Sequence, residues 1–206
     1  MIEFYDVSKW QAPETVRGLV DKNNDKVLAV KVSEGASIRD SRASYHVLAV
    51  KGQVETFIFY HFMRCDKNAL NIRAEVSNFI TAARLVGEKT GIKKCIFALD
   101  FERSDNVHKF SDYANPLHRA ALADAIRLLT ERNGVAPYVY ACESEYKGLL
   151  ANGVNIPWAW VAKYSNSAPC EPWGIWQYTN TYGKIDRNRY RGDLTKLKQK
   201  EVDICR

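Results

Sequence analysis

Asp100 and Glu102 stand two residues apart at the end of an apolar run, Cys-Ile-Phe-Ala-Leu-Asp-Phe-Glu. In a strand, residues i and i+2 point to one face, and the chain rises about 3.3 Å per residue. That spacing brings two carboxyls within several ångströms and turns Leu99 and Phe101 the other way, into packing. Two like charges so close push at least one pKa up, which keeps a carboxylic acid protonated at neutral pH. A carboxyl pair of this kind is the minimal equipment for glycoside hydrolysis. Two plainer arrangements use the same residues. The acids could be hydrogen-bonded to loop amides, or Asp6, Asp100, Glu102 and Asp186 could form an oxygen cage for a hard divalent cation.

Aromatic residues make up 12% of the chain and concentrate between residues 157 and 182, with Trp158, Trp160, Tyr164, Trp173, Trp176 and Tyr178 among them. Flat rings offer an apolar face to pyranose C–H groups, and Tyr and Trp keep a polar handle. Together with the acids they favour a sugar over a bare metal cage. Taken singly, each ring also fits core packing. The five cysteines, Cys65, Cys95, Cys142, Cys170 and Cys205, form no CxxC pair and fit no zinc template. They read as reduced thiols, several of them buried. No histidine signature accompanies them that would activate a cysteine nucleophile.

These groups must be positioned by the elements around them. Runs rich in β-branched and aromatic residues, bounded by turn formers, recur at 2–6, 27–32, 56–62, 95–102, 136–140, 157–161, 174–178 and 183–187. Helical stripes lie at 71–88 and 116–132, with weaker patterns at 40–51 and 144–150. Asn115-Pro116 is a good helix start and Asn133-Gly134 a good stop. Strands alternating with helices point to a largely parallel sheet with crossover helices, and eight such units closing on themselves give a β/α barrel. The usual barrel runs about 250 residues, so 206 implies a reduced, flattened version in one domain. The late strands begin too close together for full crossover helices, so the shortening falls there.

In a parallel barrel the reacting groups sit at the C-terminal strand ends. Here the ends carry Asp6, then Glu34, then Tyr60-His61-Phe62, then Asp100 and Glu102, then Tyr140, then Trp160 running on to Tyr164, then Gln177, and last Asp186. Acids and aromatics are thus expected on one rim.

Seven segments in this order carry a resemblance: Asp6-Val7-Ser8, Val30-Lys31-Val32-Ser33-Glu34-Gly35, Tyr60-His61-Phe62, Leu99-Asp100-Phe101-Glu102, Trp160-Val161-Ala162-Lys163-Tyr164, Trp176-Gln177-Tyr178-Thr179 and Ile185-Asp186-Arg187-Asn188. Each is weak alone; together they resemble glycoside hydrolase family 25, the N-acetylmuramidase lysozymes of bacteria and bacteriophages. The resemblance implies a flattened β/α barrel that cuts the β-1,4 bond from N-acetylmuramic acid to N-acetylglucosamine in peptidoglycan, with net retention. It implies Glu102 as general acid/base and Asp100 as its partner, orienting the substrate acetamido group or acting as nucleophile. Asp6 and Asp186 match two further acidic positions, and Tyr60, Tyr140 and Trp160 fall where the family lines its groove. Glu34, Phe62, Tyr164 and Gln177 complete the expected substrate contacts. The first loop departs from the family pattern, with Ala12-Pro13 after Gln11, which bears on the groove wall rather than on the four acids.

Two other classes compete: a barrel that holds wall glycan without cutting it, and a metal-dependent carbohydrate deacetylase. The latter normally needs histidine ligands, and His61 alone lies on a strand end. No cofactor and no metal are expected.

Forty-six per cent apolar and 26% charged residues exclude a disordered chain. No apolar stretch is long enough to span a membrane, and no secretory signal opens the chain. Synthesis in the cytoplasm and action on the bacterial wall, through phage lysis or non-classical export, are the expectation. The net charge is +6, with basic residues clustered at Lys184, Arg187, Arg189, Arg191, Lys196, Lys198 and Lys200. No nucleic-acid-binding motif accompanies them, so no nucleic-acid partner is expected. They read as a solvated tail with some attraction for an anionic wall. The expected partner is the peptidoglycan glycan strand, bound by a monomer. The residues after the family match are too few for an appended wall-binding domain.

Overall fold

The computed structural model describes residues 1–103, 110–180 and 185–205. Tyr182, Gly183 and Lys184, which belong to the aromatic-rich segment, the last expected strand and the basic cluster, lie outside the described residues. Ten strands are present among those described: β1 (Ile2–Val7), β2 (Val27–Glu34), β3 (Ile38–Arg39), β4 (Thr56–Phe62), β5 (Lys94–Asp100), β6 (Tyr138–Cys142), β7 (Trp158–Ala162), β8 (Ile175–Thr179), β9 (Asp186–Tyr190) and β10 (Val202–Asp203). Helices α1 (Pro13–Asn23), α2 (Ala43–Val50), α3 (Cys65–Asn68), α4 (Ile72–Thr90), α5 (Pro116–Asn133), α6 (Glu143–Ala151) and α7 (Leu194–Lys198) connect them.

Eight strands close a barrel in the order β1-β2-β4-β5-β6-β7-β8-β9, with β9 pairing back onto β1. The flattened β/α barrel expected from the sequence is thus the fold. The pairs from β1 round to β8 are parallel. The last strand differs from expectation. β9 runs antiparallel to both neighbours, and Asp186 begins it rather than ending it. Too few residues separate Thr179 from Asp186 for a crossover helix, so a hairpin-type return is the available connection. Reversing the strand puts its first residue on the same rim as the C-terminal ends of the others, and Asp186 still faces Asp6 across the pair.

Strand alternation sorts two apolar layers. On β4, Phe57 and Phe59 face the helices while Ile58 and Tyr60 face the barrel interior; on β5, Phe97 and Leu99 face out and Ile96 and Ala98 face in. Burying a side chain of this size stabilises by roughly 1.5–3 kcal/mol, and most of these are at or below 4% exposure. The outer layer is closed by α4 and α5. Helix α5 starts as its sequence dictates: the Asn115 side chain accepts from the Leu117 N–H at 2.9 Å with Pro116 in the first turn, and Gly134 ends it at φ 72°. Helix α1 carried too short a stripe to be read from sequence, since only Val16 and Val20 are buried on it.

The C-terminal segment is not a free tail. Leu197 of α7 is fully buried in the interior cluster, and β10 pairs with the start of β5. Arg187 is buried and donates two hydrogen bonds to Asp25, beneath β1. Among the described residues, no helix is long and apolar enough to cross a membrane. All five cysteines are free.

Candidate active site

A cleft of about 260 Å³ opens at the C-terminal ends of the parallel strands. Asp6, Asp100, Glu102 and Asp186 line it together, as do Tyr60, Phe62, Tyr140, Trp160 and Gln177. β5 ends at Asp100, two residues earlier than alternation over 95–102 implied. The chain stays extended, because the Phe101 N–H still bonds the Tyr140 carbonyl at 2.9 Å. Phe101 therefore points into the outer layer, and Asp100 and Glu102 both reach the cleft.

Two expected contacts stand apart. Glu34 does not line the cleft; it pairs with Lys31 at 2.8 Å and with Arg64 at 3.5 Å. Tyr164 is half exposed and reaches the site only through its hydroxyl, which donates to Gln177 Oε1 at 2.8 Å. Residues not singled out in the sequence enter instead. Lys31 lines the cleft, with its Nζ 4.4 Å from the Phe62 ring centre, and Trp10 stands 78% exposed at the rim. A readable signal for Lys31 existed. Val27, Ala29 and Lys31 share the inward face of β2, so a cation there must face the barrel lumen.

A hydrogen-bond chain fixes the floor. Tyr140 and Tyr164 donate to Gln177 Oε1 at 3.0 and 2.8 Å. Gln177 Nε2 and Asn188 Nδ2 donate to Asp6 Oδ2 at 3.0 and 2.7 Å, and Trp160 Nε1 donates to Asn188 Oδ1 at 2.8 Å. Trp160 is also packed edge-on against Tyr60 and Tyr140. Its ring is thereby locked as a cleft wall. Asn188 was visible in the sequence only as part of a motif; its two-sided role depends on β9 lying beside β1.

Burial shapes the acid chemistry. It pushes Glu102 up from the usual 4.5 to about 7, and the neighbouring charge of Glu145 adds to this while Lys31 opposes it. Asp100 is lifted well above the ordinary carboxylate range, first by burial and then by Glu102. Its Oδ1 is buried with no hydrogen-bond partner among the described residues. Asp186 rises to about 7 through burial and the charge of Asp6. Burial raises Asp6 too, against the bonds from Asn188 and Gln177. At neutral pH the cleft therefore holds carboxyls that can keep a proton and donate it.

Among the described residues, no three His, Cys, Asp or Glu side chains converge as a metal ion would require. His61 turns away from the cleft: it is 1% exposed, stacked on Phe79 of α4, and bonded through Nδ1 to Ser33 Oγ at 2.8 Å.

Comparison with known proteins identifies the family and the fold. The model of the family described as "Glycosyl hydrolases family 25" matches residues 5–186. The fold is similar to a muramidase from Trichobolus zukalii, at TM-score 0.78 and 18% identity over 97% of this chain and 98% of that one. It is similar to a lysozyme from Streptomyces coelicolor, at 0.75 and 22% over 97% and 96%. The catalytic domain of endolysin ply40, from bacteriophage P40 of Listeria monocytogenes, superposes at 0.73 with 23% identity over 96% and 97%. Against curated protein sequences the chain has no significant match.

Proposed function

The chain belongs to glycosyl hydrolase family 25, and from that premise we propose that it is a retaining N-acetylmuramidase, cutting peptidoglycan between N-acetylmuramic acid and N-acetylglucosamine. The observation that carries the reading is the convergence of Asp6, Asp100, Glu102 and Asp186 on one cleft walled by Tyr60, Tyr140 and Trp160. Rings held at fixed angles suit the apolar faces of pyranoses, and the acids suit glycosidic bond cleavage.

Glu102 is the general acid/base. With its pKa lifted to about 7, it holds a proton at neutral pH and passes it to the glycosidic oxygen as the bond breaks. Asp100 is its partner. The unpaired Oδ1 is an acceptor kept for substrate, suited to an acetamido N–H. Held so, the acetamido oxygen is aimed at the anomeric carbon, and its attack followed by water gives net retention. Lys31 favours the ionised form of both carboxyls and tempers the rise that burial imposes on them. Asp6 and Asp186 line the same cleft, and Asp6, held by Gln177 and Asn188, keeps the floor polar. The site of action is the bacterial wall.

Release of soluble fragments from purified walls tests the reading. Glu102→Gln keeps shape and hydrogen bonding but cannot cycle a proton, so turnover falls by about 10²–10⁴-fold. Near-normal lysis by the folded variant removes Glu102 from the role. Wild-type protein that holds walls without releasing any fragment would be the glycan-binding barrel instead. Proton NMR of the first-formed product shows the β-anomer if configuration is retained.

A further inference from the structure

A second cleft, of about 380 Å³, opens at the opposite end of the barrel. It uses the same strands as the first. Tyr138 and Trp158 line it, while Tyr140 and Trp160, two residues on, line the catalytic cleft. Two residues along a strand span about 7 Å, so the two clefts stand back to back across one layer of the barrel interior. Trp173 adds a third wall, and Tyr190 forms the floor. Trp158 stays open to the surface, at 36% exposure, while Tyr138 and Tyr190 are buried behind it. Gly192 also lines the cleft, and a Cβ there would meet the Tyr190 ring at 2.6 Å, so no side chain fits between.

The charge pattern points to the ligand. Of the basic cluster read in the sequence, Arg187 is paired with Asp25, Arg189 with Glu3, Arg191 with Glu171 and Lys198 with Glu55. Of the members that are described, Lys196 and Lys200 remain, and among the described residues neither has a carboxylate within ion-pair distance. Both line this cleft. Lys200 rests its ammonium 3.4 Å from the centre of the Trp158 ring. The helix that carries Lys196 is anchored by buried Leu197 and capped by Asp193, whose side chain accepts from the Lys196 N–H. The two cations are therefore delivered to the rings by fixed structure rather than by a free tail.

Aromatic walls with two unpaired ammonium groups suit a pyranose bearing a carboxylate. We propose that this cleft is a second, non-catalytic saccharide site, which holds a carboxylate-bearing stretch of the wall glycan strand while the opposite cleft cuts. The proposal rests on the reading of the substrate as peptidoglycan. Trp158 and Trp173 supply ring faces, and Lys196 and Lys200 supply charge-assisted hydrogen bonds to the carboxylate.

Pelleting of Glu102→Gln protein with purified sacculi, stripped of phosphate polymers by hydrofluoric acid, tests the site without turnover. Adding Lys196→Gln and Lys200→Gln, or Trp158→Ala, weakens binding about tenfold, as loss of an anchor worth one factor of ten would. Trp158→Phe restores most of the loss, which separates loss of a ring face from damage to the fold. On a short soluble glycan the same changes, made in otherwise wild-type protein, leave kcat/KM unaltered, whereas KM on intact walls rises. Unchanged pelleting of both variants overturns the proposal. So does a difference seen only with unstripped sacculi, which would assign the cleft to phosphate polymers. Failure of the substrate reading is distinguishable: wild-type protein would then release no wall fragments, whatever the pelleting shows.

Discussion

Glu102→Gln should make the fold more stable at pH 8 and leave it nearly unchanged at pH 4. The reason is linkage. Below pH 4.5 the Glu102 proton is held in both folded and unfolded chains, and no charge is buried. Between 4.5 and about 7 the unfolded chain releases that proton while the folded chain keeps it, because burial and Glu145 lift its pKa. The folded state then binds more protons, so stability falls as pH rises, and the loss is complete above about 7. The gap from 4.5 to about 7, at about 1.4 kcal/mol for each pH unit, amounts to about 3 kcal/mol. For a chain of this length 1 kcal/mol moves Tm by about 2–4 °C. Thermal melts of wild type and Glu102→Gln at pH 4, 6 and 8 should thus separate progressively, reaching about 6–12 °C at pH 8. Curves that stay parallel across this range, or a variant less stable than wild type at pH 8, would refute the assignment of a buried, proton-retaining Glu102.

The same carboxyl sets the rate profile: kcat/KM on a soluble glycan should decline about tenfold per pH unit above about pH 7, and a rate still climbing at pH 9 rules out Glu102 as the protonated acid. Asn188→Ala leaves Trp160 Nε1 without an acceptor and takes one donor from Asp6. At about 1–3 kcal/mol for a stranded buried polar group, urea denaturation should show a loss of about 2 kcal/mol or more, with a matching fall in activity as Trp160 loosens. Arg187→Met strands buried Asp25, which costs about 3–5 kcal/mol, and a midpoint shift of under 1 kcal/mol would show that the pair is dispensable.

What the sequence made legible was governed by local rules. Strand alternation and strand ends were enough to bring Asp6, Asp100, Glu102, Tyr140 and Trp160 to one rim, because period two and a parallel barrel leave little choice of direction. Asp186 reached the rim for a different reason from the one expected, since a short connection reversed its strand. Glu34 sits at a strand end and still does not line the cleft; its carboxylate is engaged by Lys31 and Arg64. Strand position alone does not announce such a pairing. Lys31, by contrast, is readable from parity, since it shares the inward face of β2 with Val27 and Ala29. The basic C-terminal segment read as solvated. Only the fold shows that Leu197 anchors it and that four of its cations have partners.

The central claim is the identity of the bond cut, and the chemistry of the newly made chain end tests it most directly. Purified peptidoglycan digested by the wild-type protein, reduced with borohydride and separated with mass detection, should yield fragments ending in N-acetylmuramitol, and Glu102→Gln should yield about 10²–10⁴-fold fewer. Fragments ending in N-acetylglucosaminitol, or free peptide ends with the glycan intact, would contradict the account.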